Sequence, residues 1–159
     1  MPLVPQSQQP STQPLVPIFV YGTLMAAPLL AWVLTGSPEN TIAVVSKRQR
    51  ASISGLRRHP VHGSDYPAAI RAEGSSLEGF LVFPADQAEW NKLDNFEGET
   101  YDRTLVRAVR EDGVELEAYV YLWAGSKDAL DAGGWDFAYF ERERLQDWLE
   151  LFGGMEMVG

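Results

Sequence analysis

Residues 104–123 read TLVRAVREDGVELEAYVYLW, and their pattern decides the fold class. Asp112-Gly113 is the favoured residue pair of a type I′ turn, and it separates two arms of strand composition, 104–110 and 114–123. In the second arm Val114, Leu116, Ala118, Val120 and Leu122 share one face. Glu115, Glu117, Tyr119, Tyr121 and Trp123 share the other, as a period of two requires. This is an antiparallel hairpin with one face for a core.

The neighbouring segments fix what the hairpin joins. Upstream, 42–54, 66–72 and 77–83 read as strands separated by Gly-, Ser- and Pro-containing turns. Ile18-Phe19-Val20-Tyr21 reads as a buried strand that breaks at Gly22. Pro28 opens a short helix, with Gly36 just past its end. Downstream, a last helix is expected from an Asp136 N-cap to Gly153-Gly154. Phe137, Phe140, Leu145, Trp148, Leu149 and Phe152 recur in it at docking spacing. Five or six strands with short helices do not make the long βαβ alternation of a doubly wound sheet. The expected fold is α+β, a small mixed β-barrel flanked by short helices.

One such domain suits 159 residues, which should bury roughly 70% of the surface of the open chain. It is expected over residues 17–153, between a flexible Pro-rich tail at 1–16 and a short C-terminal tail at 154–159. Five of the first 17 residues are proline, and that segment lacks the basic start and apolar middle of a secretory signal. No apolar run approaches the roughly 18 residues that span a bilayer. Cytoplasmic location is the expectation. With 13 basic against 22 acidic residues, the formal charge of −9 repels phosphate backbones and anionic lipid. Neither nucleic acid nor membrane is expected as a partner, and a monomer or weak homodimer is.

The chain has no cysteine, which removes thiolate metal sites and cysteine nucleophiles. His59 and His62 are its only histidines; with Asp65 they could be drawn as a metal site, but the segment 57–67 reads as a loop. No metal and no cofactor are expected. Gly-x-Ser-x-Gly, P-loop and dinucleotide fingerprints are also missing.

Attention therefore falls on carboxylates. Residues 84–98, PADQAEWNKLDNFEG, read as a helix with Trp90, Leu93 and Phe96 inward and Gly98 as its stop. Glu97 lies in the last turn, about 100° around from Phe96, where it can face a cleft. The helix dipole and partial burial would both raise its pKa towards the range of a general base or acid. An ordinary solvated glutamate at a helix end fits the same residues. Tyr21-Gly22-Thr23-Leu24 leaves backbone N–H groups free between strand and helix, which can form an anion nest or a plain tight turn.

Taken together, these motifs resemble the γ-glutamylcyclotransferase-like (AIG2-like) family. Tyr21-Gly22-Thr23-Leu24 ends the first strand, and Leu93-Asp94-x-Phe96-Glu97-Gly98-x-x-Tyr101-x-Arg103 follows downstream. Asp65-Tyr66-Pro67-Ala68, Glu78-Gly79-Phe80-Leu81 and Ala118-Tyr119-Val120-Tyr121 fall in the expected order, so the likeness spans roughly 17–150. It implies a mixed barrel, Glu97 as the catalytic residue, and Tyr21, Gly22, Thr23 and Leu24 as the substrate-binding loop. It also implies a γ-glutamyl amine or amino acid as the small-molecule substrate, cyclised to 5-oxoproline with release of the free amine. Within the same fold a non-catalytic ligand- or partner-binding member is the alternative. After the loop the chain runs Met25-Ala26-Ala27-Pro28, where many members carry basic and glycine residues. Tyr101 either lines the pocket or packs beside the helix end. Arg103 reads as a structural ion-pair partner, Asp94 as a structural acid, and Arg57 and Arg58 as a solvated strand end or a second carboxylate site.

Overall fold

The computed structural model describes residues 15–97 and 101–153. The expected stop at Gly98, most of the N-terminal tail and the C-terminal tail lie outside them. Five strands form a closed mixed barrel: β1 (Ile18–Val20), β2 (Arg48–Pro60), β3 (Pro67–Val82), β4 (Tyr101–Arg110) and β5 (Glu115–Trp123), ordered β1-β3-β2-β4-β5. β1 closes the ring by pairing antiparallel with β3 and parallel with β5, Phe19 opposite Leu81 on one side and Val120 on the other. Both faces of β1 are buried, which is why its sequence is apolar without alternation. Phe19 and Tyr21 point into the barrel with Ile53, Leu77, Leu81 and Val120. Ile18 and Val20 point outward, under the helices.

Those helices are α1 (Ala27–Thr35), α2 (Thr41–Val45), α3 (Gln87–Glu97) and a C-terminal segment, α4 (Phe137–Tyr139), a π-turn (Phe140–Arg144) and α5 (Leu145–Gly153). The proline-led start of α1 and its left-handed Gly36 cap stand as expected. Asp136 caps the C-terminal segment by accepting from the Tyr139 N–H at 3.2 Å. All six of the expected docking side chains pack in or against the helix-side core.

Four expectations need correction. The strand expected over 42–54 begins only at Arg48, and residues 41–45 are helix: the run Thr-Ile-Ala-Val-Val has strand composition, but only Val44 is buried and Ile42 is 89% exposed. β-branched composition records a fit to a half-buried pleated surface, and here no partner strand supplies one. The separate strands expected at 66–72 and 77–83 are one strand, β3. A register shift opposite Ser54 and Leu56 absorbs the polar stretch between them as a bulge, and pairing continues past it. That same ladder takes Arg57–Pro60, read as loop, into β2. The hairpin stands, but its turn is not type I′. Only Gly113 takes positive φ (89°), while its N–H reaches the Arg110 carbonyl at 2.9 Å and the Arg110 N–H reaches Val114 O at 2.8 Å. This is a three-residue loop with a left-handed glycine, and Asp112 stays at negative φ because its carboxylate accepts from the Val114 N–H.

Candidate active site

α3 starts with a reciprocal cap: Asp86 Oδ1 accepts from the Glu89 N–H, and Glu89 Oε1 from the Ala85 N–H, each at 2.9 Å. Leu93 is fully buried and Trp90 and Phe96 pack beside it, so the inward face is fixed. Glu97, the last residue of the helix, is thereby turned towards the end of β1 and the start of β4.

There it stands between two compartments. The smaller, about 30 Å³, is walled by Tyr21, Gly22, Thr23 and Leu24 on one side and by Tyr66, Pro67 and Tyr101 on the other. The larger, about 340 Å³, has aromatic walls: Trp32 from α1, Phe96 from α3, and Trp148 and Phe152 from α5. Thr23, Tyr66, Tyr101 and Glu97 border both, and among the described residues Glu97 is the only carboxylate lining either. Its side chain keeps some exposure because it faces this space, yet protein packs around it closely enough to displace much of its hydration. Burial, and secondly the charge of Asp94 one turn earlier, raise its pKa to about 7.

In the 21–24 loop the Met25 and Ala26 N–H groups close a tight turn onto Gly22 O and Thr23 O, both at 3.0 Å. The amides of Gly22, Thr23 and Leu24 take no part in those two bonds and sit where the chain borders the small compartment. Gly22 is required by close approach: a Cβ there would meet the Pro67 ring at 2.9 Å. Arg58 steadies the loop from behind, its Nη1 donating to Tyr21 O at 2.6 Å and its guanidinium lying over the Trp135 ring. It is neither a solvated strand end nor part of either compartment's wall, whereas Arg57 is exposed.

The candidate residues do unequal things. Tyr21 lines the small compartment, but its hydroxyl donates to Tyr121 O at 2.6 Å and accepts from the Ala69 N–H at 3.1 Å, tying β1 to β5 and β3. Burial pushes that hydroxyl well above its usual range. Leu24 is 2% exposed and belongs mainly to the core, while Thr23 reaches both compartments. The ring of Tyr101 lines the site, the first of the two alternatives, and its hydroxyl donates to Pro67 O at 2.9 Å. Burial and then Glu97 raise its pKa. Asp94 accepts from the Tyr121 hydroxyl and pairs with Arg103 at 3.2 Å, so both act in structure as read.

His59 Nδ1 and His62 Nδ1 contact Asp131, at its carbonyl and its carboxylate, and no metal-holding group of three donors occurs among the described residues. Sequence reading missed Trp32, Tyr66, Trp148 and Phe152 as walls. Trp148 and Phe152 were visible only as a docking face, and nothing in the spacing says that this face meets α1 over a cavity. Asp65 was noted only as a possible metal donor and a motif residue; its Oδ2 accepts from Arg144 Nε (3.0 Å) and Trp148 Nε1 (2.9 Å) and so moors α5 beside the site.

Comparison with known proteins agrees with this fold. The sequence profile of the family described as gamma-glutamyl cyclotransferase, AIG2-like, matches residues 18–137. AIG2-like protein D of Arabidopsis thaliana is 30% identical over 136 residues, covering 84% of each chain. Protein AIG2 C of the same plant is 27% identical over 139 residues, 87% of this chain and 79% of its own. A solution structure from Arabidopsis thaliana superimposes with a TM-score of 0.63 at 25% identity, covering 91% of this chain and 84% of that one. A structure described as gamma-glutamyl cyclotransferase gives a TM-score of 0.51 at 13% identity over 90% and 89% of the two chains, a likeness of fold alone.

Proposed function

From the premise that the chain belongs to the gamma-glutamyl cyclotransferase, AIG2-like family, we propose that it cyclises the γ-glutamyl group of a small γ-glutamyl amide. The carrying observation is Glu97, a carboxylate poised near pH 7 between an amide-bordered niche and a larger cavity. The substrate's own α-amine attacks its γ-carbonyl carbon. A new C–N bond closes the five-membered ring, the original amide C–N bond breaks, and 5-oxoproline and a free amine leave. No water is consumed. Glu97 takes a proton from the α-ammonium before attack and returns it to the departing nitrogen, a round trip suited to a group whose pKa lies near the working pH. The second proton, lost by the ring nitrogen as the lactam forms, leaves with the amine as its ammonium.

The niche holds the α-carboxylate or the developing oxyanion on the loop amides, which are fixed before the reaction begins. Holding the chain folded supplies much of the acceleration, because the nucleophile and carbonyl are then already within reach. No protein nucleophile and no metal is needed for this chemistry. The test is to incubate the protein with a panel of γ-glutamyl amides and quantify 5-oxoproline and amine. Equimolar release is expected from at least one, and release from none would overturn the proposal.

A further inference from the structure

The larger compartment says which amides. We infer that the aromatic cavity receives the amine half of the substrate and selects an uncharged apolar amine over an amino acid or a diamine. This rests on the cyclisation reading above.

The inference starts from the walls. Phe152 stacks on Trp32 with centroids 5.2 Å apart, stands edge-on to Trp148 at 5.6 Å and is perpendicular to Phe96 at 6.0 Å. Rings from three helices brace one another, so the cavity is preformed. Two of the polar edges nearby are already engaged: Trp148 Nε1 donates to Asp65 and the Tyr101 hydroxyl to Pro67. What those side chains offer a ligand is therefore ring surface. The volume, about 340 Å³, lies at the small end of ligand pockets, ~300–1,000 Å³. It fits one aryl or branched alkyl group beside the glutamyl chain.

Charge decides against the other amines. No Lys, Arg or His lines either compartment among the described residues, and residues 1–14, 98–100 and 154–159 contain none in their sequence. An amino-acid leaving group would bring its carboxylate into this largely aromatic space with no cation to pair with, at the cost of its hydration. A diamine would bring a second ammonium; Glu97 is the one carboxylate among the described lining residues, and pairing there would occupy the group that ring closure needs.

Two compounds of nearly one shape isolate the carboxylate: γ-glutamyl-2-phenylethylamide and γ-glutamylphenylalanine. A third, γ-glutamyl-1,4-diaminobutane, carries the cation. The kcat/KM for 5-oxoproline release should be at least tenfold higher for the phenylethylamide than for either competitor. Phe152→Lys, which puts a cation on the wall, should narrow the gap to γ-glutamylphenylalanine at least fivefold. Equal or reversed preference in the parent overturns the inference and leaves cyclisation standing. Calorimetric binding of the same compounds to Glu97→Gln keeps the two claims apart. Preferential binding of the phenylethylamide with no turnover by the parent sinks cyclisation and sustains the selectivity. Failure to bind any of the three sinks the selectivity too.

Discussion

Burial and the neighbouring charge of Asp94 hold the Glu97 carboxyl near 7, against an ordinary value of 4.5, so between those values the folded chain keeps a proton that the unfolded chain has lost. Stability therefore falls as pH rises from 4.5 to 7, and the full penalty is present above 7. Glu97→Gln removes the ionising group. It should stabilise the fold by about 1–3 kcal/mol at pH 8 and by nearly nothing at pH 4, read from denaturant unfolding. The same variant should lose turnover by roughly a hundredfold or more, since glutamine cannot take the substrate proton. Glu73→Gln, on an exposed carboxylate, is the control for both readings. A Glu97→Gln protein no more stable than the parent at pH 8 would show that the carboxylate is hydrated after all. Asp94 supplies a second test. With Glu97 acting as the base, activity should rise with pH along a limb centred near 7. Asp94→Asn removes the like charge while keeping an oxygen for the Tyr121 hydroxyl, so the limb should move to lower pH. An unmoved limb in the kcat/KM profile would assign it to another group.

The loop between β1 and α1 makes the clearest claim among the elements. A Cβ at position 22 would meet the Pro67 ring at 2.9 Å, and a proline ring at a strand start has little room to yield. Gly22→Ala should therefore push the loop away from β3, raising KM and lowering kcat together, and should also cost some thermal stability. A variant with unchanged Tm and unchanged kinetics would make the loop a turn and nothing more. Local geometry made two things legible, the break of the first strand at Gly22 and the turn of Glu97 away from the inward face of its helix, while their roles as site residues came from the family resemblance. The walls of the larger cavity were not legible. Trp32 and Phe152 lie 120 positions apart in sequence, and only packing of α5 over α1 brings their rings together. The misread start of the 42–54 strand and the split of β3 have one cause, since apolar β-branched runs and glycine-serine stretches fix no partner and the partner decides.

For the whole molecule, the barrel rests on a short seam. A small barrel with helices outside it was expected because the strands do not alternate with long helices, but the parallel pairing of β1 with β5, some 100 residues away, has no local signature. That pairing begins at the very start of the described chain. The Tyr119 N–H donates to Pro17 O at 3.0 Å, and Trp90 Nε1 donates to Val16 O at 3.2 Å, clamping the lead-in to β1 between β5 and α3. The boundary expected at residue 17 therefore cuts into the seam, because residue 16 already holds a hydrogen bond. Residues 1–14 are proline-rich and polar, with no apolar period to dock them. Removing 1–14 should leave the melting temperature within about 2 °C of the parent. Removing 1–17 deletes two acceptors, each contributing about 1 kcal/mol, and leaves the indole and amide donors unpaired, so a fall of about 5 °C or more is expected. Thermal melts of both truncations beside the parent make the comparison. A large fall with the shorter deletion would show that the first 14 residues pack on the barrel. No further fall with the longer one would show that the closure of β1 onto β5 does not depend on its lead-in.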